Sequence, residues 1–307
     1  MFEPPPTFAP APGWLRRRAP PDIAAEAVFY AGAALAALHP IACDEHPLGT
    51  LWRQRLALTC AARLARQGGR TEDEAALRDH WYLRYEDDDP GPGGRLLAAW
   101  RKLGERATSD VEEWIFATAI ALGHPLNPLP DQIVELAGRH AKQEHPMPVL
   151  AAAEIIAASR RLLPDEEVVP LWLADAVLAH QLRWPAPVPL IAAYLSRGAL
   201  RKAPQHFEGE TVFMSALCAA YTAAAVAAID LYNDLARRAA RLLAVAPKLR
   251  GKDADRMVAI LMMEDAQSAG AGKMASDRST RRLFERLVSL GVARELTGRP
   301  SFRLYGL

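Results

Sequence analysis

Helical spacing of apolar side chains recurs along almost the whole chain, in Ala- and Leu-rich segments that Pro and Gly residues interrupt. Before residue 290 no stretch alternates apolar and polar residues over the length of a strand, so no sheet is expected there. With 50% apolar and 24% charged residues, the chain can bury a core. The pattern predicts a mainly α fold, and the absence of a fixed repeat period argues against a solenoid.

The predicted helices lie between capping residues and Pro or Gly breaks. Residues 71–74 and 109–112 have the spacing of a capping box, in which polar side chains satisfy the first free amide groups of a helix. Residues 87–94 form an expected break before a helix that begins at Arg95. The other expected helices of this part are 23–38, 48–66, 71–85, 109–122, 131–142, 149–163, 168–183 and 188–197.

The N-terminal 21 residues contain seven prolines and predict an extended tail. This tail is expected to dock on an aromatic groove of a partner, to form a mobile strap, or to pack on its own domain through Trp14. No apolar run follows a basic start, which argues against a secretory signal. The three cysteines (Cys43, Cys60 and Cys218) are far apart, as is typical of a reducing cytoplasm, and we expect a cytoplasmic protein.

One uncharged segment, residues 212–229, is long enough to cross a membrane. Eight of its eighteen residues are alanine, which drives membrane insertion weakly. Its small side chains favour a central helix that other helices surround. We therefore expect a buried helix and no membrane association.

Charge is distributed unevenly along the chain. From Arg237 to the end there are 15 Lys and Arg against 7 Asp and Glu, whereas the preceding 236 residues carry 22 against 29. All eight histidines lie in the acidic part. A basic end on an acidic body indicates contact with a polyanion at that end, with solvated arginine-rich helix faces as the alternative.

The basic end has its own order of elements. An amphipathic helix is expected over 253–265, followed by a small-residue turn at 266–272 and a second helix over 278–290. Two short alternating runs at 292–296 and 301–305 flank a Gly/Pro turn and predict a β-hairpin. Helix, helix and hairpin in this order resemble a winged helix-turn-helix, although the segment after residue 265 is short for the middle helix of that motif.

The helix over 278–290 has an apolar side centred on Leu283, Leu287 and Leu290. The opposite, arginine-rich side holds Arg278, Arg281, Arg282, Glu285 and Ser289. Arginine binds phosphates and reads guanine with two hydrogen bonds, so such a helix fits a DNA groove. The predicted hairpin is the wing of this motif, and its arginines are placed to contact the DNA backbone beside the groove. The expected DNA-binding residues are Arg278, Arg281, Arg282, Ser289, Arg294, Arg299 and Arg303.

These observations predict three parts: a Pro-rich extended tail (1–21), an α-helical domain (22–235), and a linker helix with a winged-helix-like domain and a short β-hairpin (236–307). The leading hypothesis is a non-enzymatic DNA-binding regulator whose body forms a homodimer or binds a partner. The alternative is a helical scaffold that uses the winged helix for protein contacts. An enzyme with a pocket in the helical body is a third hypothesis.

Five sequence blocks carry a family resemblance: PLGTLWRQRL at 47–56, DEAALRD at 73–79, DDPGP at 88–92, WPAPVP at 184–189, and the ending from RLFER to FRLYGL at 282–307. With these blocks the chain resembles a bacterial family known as domain of unknown function 1403. The resemblance implies no known activity. The C-terminal sequence is also similar to the winged-helix end of Fic-type proteins, but their catalytic block is missing, so AMP transfer is not implied.

Two histidine clusters are candidate metal sites. His39, Cys43 and His46 lie within eight residues, but they lack a matching second pair of ligands and flank prolines. His140 and His145 straddle a helix end, where a five-residue spacing does not place both rings on one face. We expect neither to bind metal.

One aspartate lies in an apolar helix and must find a buried partner. A charge at Asp175 is costly without one, and we expect a structural ion pair with Arg183 or with an arginine of another helix. No Ser-His-Asp arrangement, phosphate loop or dinucleotide fingerprint is present, so no catalytic residue and no cofactor are predicted.

Overall fold

A computed structural model of the chain describes residues 3–16, 24–84, 88–105, 131–142, 144–204, 211–249, 254–268, 277–298 and 302–307. The fold is mainly helical, as predicted, with a small antiparallel sheet near the C-terminus. Its helices are α1 (Ala24–Ala42), α2 (Leu48–Gln67), α3 (Glu74–Leu83), α4 (Gly91–Glu105), α5 (Asp131–Lys142), α6 (Pro148–Leu162), α7 (Val168–Gln181), α8 (Arg197–Arg201), α9 (Thr211–Val245), α10 (Ala254–Met263) and α11 (Asp277–Ser289). The strands are β1 (Gln267–Ser268), β2 (Arg294–Glu295) and β3 (Leu304–Gly306). The helix expected over 109–122 lies outside the described residues.

Helix α2 lies at the centre of the body. It packs against α3, α4, α9 and α10, and most of its residues are buried. Two tryptophans join the helices by hydrogen bonds as well as by filling space. Trp52 Nε1 of α2 donates to the carbonyl of Ala228 in α9 over 2.9 Å. Trp172 Nε1 of α7 donates to the carbonyl of Ala99 in α4 over 3.0 Å. Because both indole groups are satisfied, these large side chains fill the core without leaving a buried donor unpaired.

Helices α1, α3 and α4 begin or end at residues other than those predicted from the sequence. Helix α1 continues past Pro40 to Ala42, because Pro40 and the preceding turn at Ala36 face solvent, where water can replace the lost backbone hydrogen bond. Helix α3 is capped by Asp73, whose carboxylate accepts the amide of Ala76 over 2.9 Å, and it ends at Leu83. Helix α4 already begins at Gly91 rather than at Arg95.

The helix expected over 188–197 is wrong. The chain there is irregular except for a short 3₁₀ turn at Ile191–Ala193, and α8 follows. The cause is the carboxylate of Asp175, which accepts the backbone amides of Leu190 (2.7 Å) and Ile191 (3.2 Å). These bonds fix the segment against α7 in a non-helical path.

Asp175 is therefore a buried anchor for backbone, and it forms no ion pair with an arginine of the described residues. The expected partner, Arg183, instead pairs with Glu144 at the surface. Burial raises the pKa of Asp175 to about 8, although the two backbone amides oppose the shift.

The N-terminal segment 3–16 packs on its own body. Arg16 forms two hydrogen bonds of 2.6 Å to the carboxylate of Asp230 in α9, and Phe8 meets Tyr232 edge to face at 5.4 Å. Leu15 is buried, whereas Trp14 is half exposed. The proline-rich chain thus lies as a strap over α9, and the ring of Trp14 packs on α1, where it stacks on Phe29 with 5.8 Å between centroids.

Helix α9 spans the uncharged segment that the sequence predicts to be a buried helix. It is 35 residues long and packs along α1. By length and composition alone, stretches of two helices could cross a membrane: 25–42, of which 39% is buried, and 212–248, of which 61% is buried. The proposed boundary between residues 235 and 236 falls inside α9, which continues to Val245.

The C-terminal module comprises the described residues from Ala254 onward. Its sheet has the strand order β1-β3-β2, with β3 antiparallel to both neighbours. The hairpin of β2 and β3 was expected. Strand β1 was not, since Gln267–Ser268 lies within the expected small-residue turn, and its pairing with β3 fixes it as a strand.

The turn between α10 and β1 attaches this module to the body. Asp265 is 2% exposed and pairs with two arginines of the body, Arg55 of α2 and Arg78 of α3. The Nε of Arg78 lies 2.7 Å from its Oδ2. The backbone amide of Asp265 also donates to Oε1 of Gln54 over 2.8 Å.

We call this attachment site, formed by Asp265 with Gln54, Arg55 and Arg78, the junction. The C-terminal residues also contact it. Nη2 of Arg55 donates to the carbonyls of Asp265 and Leu307, each over 3.2 Å. A Cβ added at Gly306 would lie 2.6 Å from the carbonyl oxygen of Asp265, so only glycine allows β3 to approach the turn this closely. The module is thus attached by a buried carboxylate and by arginines that are largely enclosed.

Removal of the Asp265 carboxylate is expected to destabilise the protein strongly. Asp265→Ala leaves Arg55 and Arg78 without their shared acidic partner, and breaking a buried pair from one side costs about 3–5 kcal/mol. Urea unfolding measures the loss. Glu295→Ala is the control, because its pair with Arg303 is partly exposed and contributes less than about 1 kcal/mol. Equal effects of the two changes would contradict the junction.

The buried carboxyl of Asp175 is expected to make stability fall as pH rises from about 4 to about 8. In that window the unfolded chain has lost this proton while the folded chain, whose pKa is about 8, retains it. One such proton changes the free energy of unfolding by up to about 1.4 kcal/mol per pH unit. Asp175→Asn, which cannot titrate, should flatten the dependence in urea unfolding at pH 5 to 8. The exposed Asp165→Asn should not, and parallel curves for Asp175→Asn and the natural protein would refute the assignment.

Candidate functional site

Helix α11 has one buried face that fixes it on the sheet. Thr280, Phe284 and Leu287 are buried. The ring of Phe284 stacks on Tyr305 of β3 with 4.2 Å between centroids and 10° between planes. Such aromatic pairs contribute about 0.5–1.5 kcal/mol beyond the area they bury. The orientation of α11 is therefore set by this stack.

The centre of the buried face differs from the sequence expectation. Leu290, expected on the apolar side, is 40% exposed. The helix ends at Ser289, and Gly291 adopts a φ of +67°, so Leu290 lies in the turn rather than on the helix. Burial is centred on Phe284 instead, because its partner Tyr305 lies on the sheet.

The opposite face of α11 is exposed and basic. Arg281, Arg282, Ser289 and the acidic Glu285 lie on it, as predicted, and Arg286 joins them. Among the described residues, no carboxylate forms an ion pair with these three guanidinium groups. The side chain of Arg278 lies outside the described part of the structure. The hydroxyl of Ser289 already donates a hydrogen bond to the carbonyl of Arg286 over 2.8 Å.

The hairpin places further arginines beside the helix. Strand β2 contacts α11 and carries Arg294, which is exposed and, in the described part of the chain, has no acidic partner. Arg303 pairs across the hairpin with Glu295 over 3.3 Å, so its charge is shared. Arg299 lies outside the described residues.

Sequence reasoning missed one basic residue and one acidic one. Arg286 follows Arg282 by four residues and therefore lies on the same side of the helix, a spacing that would have identified it. Asp265 gave no such signal, because nothing in the local sequence marks the partners that bury it. The arrangement as a whole is an exposed helix face of net positive charge beside a β-hairpin, which suits the binding of an extended anion.

The first histidine cluster has internal partners. Nδ1 of His39 accepts the indole N–H of Trp184 over 3.1 Å, and Cys43 Sγ lies 3.6 Å from its Nε2. His46 bonds the carbonyl of Glu3 in the N-terminal strap over 3.0 Å. These side chains tie the strap and the loop before α2 to the body.

The second cluster converges, contrary to the spacing argument. His140 Nε2 lies 3.2 Å and His145 Nε2 lies 3.7 Å from different oxygens of Glu154 in α6. The chain leaves α5 after Lys142 and turns towards α6, and this turn brings both rings to one carboxylate. Burial lowers the pKa of His140. Within the described ranges no group of three or more His, Cys, Asp or Glu side chains is placed to hold a metal ion.

Comparison with curated protein sequences gives no match. The sequence does match a protein family, described as Protein of unknown function (DUF1403), over residues 5–307. That match includes both the helical body and the C-terminal module. Because it extends over nearly the whole chain, the protein belongs to the DUF1403 family.

Proposed function

We propose that this protein is a non-enzymatic regulator that binds duplex DNA through its C-terminal module, which we interpret as a winged helix. The order helix, strand, helix, strand, strand and the sheet order β1-β3-β2 support that interpretation. Here α11 is the recognition helix and the β2–β3 hairpin is the wing. The middle helix of such a motif would fall at residues 269–276, outside the described part. We further propose that the protein works in the cytoplasm.

One observation carries the proposal: on the exposed face of α11 three arginines outnumber the glutamate Glu285, which leaves that face positive. Arg281, Arg282 and Arg286 lie opposite the face that Phe284 holds on the sheet. An exposed arginine costs little to keep solvated, but several on one face repel each other unless an anion lies between them. DNA phosphates supply that anion along a line, and base edges in the major groove supply acceptors.

A protein-binding role for the same module is the second candidate. Phe302 at the hairpin is 74% exposed with a φ of +55°, and Val288 on α11 is 39% exposed. Large apolar side chains held in solvent favour contact with a protein. The salt dependence of binding separates the two functions, since apolar contacts release few counterions.

The full-length protein is expected to bind random duplex DNA at low salt, and its affinity for the duplex should fall steeply as the salt concentration rises. If Arg281, Arg282, Arg286 and Arg294 each neutralise one phosphate, affinity should fall roughly 100-fold between 50 and 200 mM salt. Fluorescence anisotropy with a labelled duplex measures the slope. Absence of binding at 50 mM salt would refute DNA binding and favour the protein-contact role.

Loss of two recognition-helix arginines should weaken DNA binding without unfolding the protein. The double variant Arg281→Ala with Arg282→Ala is expected to reduce the slope of log affinity against log salt by about 2. The matched control is Arg66→Ala with Arg161→Ala, which removes the same charge from exposed positions of the body. If both variants lose affinity equally, net charge rather than α11 determines binding. A large drop in melting temperature of the α11 variant would mean that its arginines are structural.

A further inference from the structure

A cleft of about 340 Å³ lies beside the N-terminal half of α2. The loop that precedes α2, the end of α4 and the segment at Pro185 form its walls. None of the DNA-binding residues proposed above lines it. Its polar lining includes Arg53, Gln54 and Arg101.

Arg53 is a buried cation without a counterion. It is 9% exposed, and no carboxylate of the described residues lies within ion-pair distance of it. Its Nη2 donates to the carbonyl of Ala42 over 2.9 Å, Nη1 makes a long bond of 3.4 Å to the carbonyl of Gly49, and Nε has no hydrogen-bond partner. Burial lowers the pKa of Arg53 to about 10, although the nearby charge of Asp44 opposes the shift.

The packing around Arg53 shows a built position rather than a loosely placed side chain. A Cβ added at Gly104 of α4 would lie 3.1 Å from Cβ of Arg53, and one added at Gly49 would lie 3.0 Å from its Nη1. Two glycines therefore allow backbone to close around this arginine. Buried charges in proteins are normally paired, so an enclosed guanidinium at the edge of a cleft indicates an anion that is supplied from outside the chain.

We infer that this cleft binds a small oxyanion, a carboxylate or a phosphate group, on Arg53, and that its occupancy is coupled to the C-terminal module. Carboxylates also line the cleft. Asp44 accepts the hydroxyl of Tyr232 over 2.9 Å and acts on Arg53 through its charge without forming an ion pair with it, and Glu45 and Glu105 are exposed where water screens them. The uncompensated charge at the buried end is positive.

The coupling follows from two side chains that the cleft shares with the junction. Gln54 accepts the amide of Asp265 with its Oε1, and Arg101 lies 3.2 Å from the carboxylate of Glu264. Both also line the cleft. An anion that attracts Arg101 or the amide of Gln54 competes with the turn that carries the module. The regulatory consequence rests on the DNA binding proposed above, whereas the anion site itself does not.

Thermal unfolding tests the site without DNA. Inorganic phosphate, and separately acetate, are titrated against chloride at equal ionic strength, and a bound anion raises the melting temperature by about 3 °C near ten times its dissociation constant. Arg53→Met should abolish this shift and Arg53→Lys should reduce it. Arg281→Ala with Arg282→Ala should retain it, which excludes binding on α11. No shift with either anion, or an equal shift in Arg53→Met, would overturn the site.

Hydrogen exchange tests the coupling, also without DNA. Addition of the anion that stabilises the natural protein should change amide exchange at residues 264–268 by at least about twofold, and Arg53→Met should show no change. Unaltered exchange there in an anion-stabilised protein would overturn the coupling while leaving the site. Because neither readout uses DNA, failure of the DNA-binding proposal is observed separately.

Discussion

Two arginines of the body share one aspartate of the C-terminal module, and the position of that module depends on this contact. Asp265 lies between Arg55 and Arg78 with almost no access to water. A buried pair of this kind is a poor source of net stability but a strong source of specificity, because any other register leaves charges buried and unpaired. The segments α10 and β3 therefore attach to α2 in a single arrangement.

The same contact explains why the outer surface of the module is so basic. Two of its acidic residues, Glu264 and Asp265, point inward to Arg101 and to the junction, and Glu295 is engaged with Arg303. Glu285 remains on the exposed face of α11, where Arg281, Arg282 and Arg286 outnumber it, so the charge of that face is reduced but stays positive. Charge segregation along the sequence becomes charge segregation in space, with arginines left on the exposed helix face.

Sequence pattern predicted those parts of the fold that local forces determine. Helices such as α2 and α5 follow from apolar spacing and nearby breaks, and the hairpin follows from its turn. Prediction failed where the local structure depends on a residue that is distant in the sequence. Asp175 holds residues 190–191 out of a helix, and Tyr305 shifts the buried face of α11 to Phe284. The basic side of the candidate site was predictable from the helical wheel, but its attachment through Asp265 was not, since its partners lie about 190 and 210 residues away.

Three consecutive residues of α2 link the two halves of the molecule. Because successive helix positions turn by about 100°, Arg53, Gln54 and Arg55 point in different directions from one buried stretch. Arg55 meets its counterion, Asp265, within the chain, Gln54 bonds the backbone of that aspartate, and Arg53 forms no ion pair with any of the described residues. An anion at Arg53 would therefore act on the same helical turn that positions the module. The central helix of the body thus carries both Arg53 and the residues that attach the basic C-terminal module. Anion binding at Arg53 can therefore alter how that module is held.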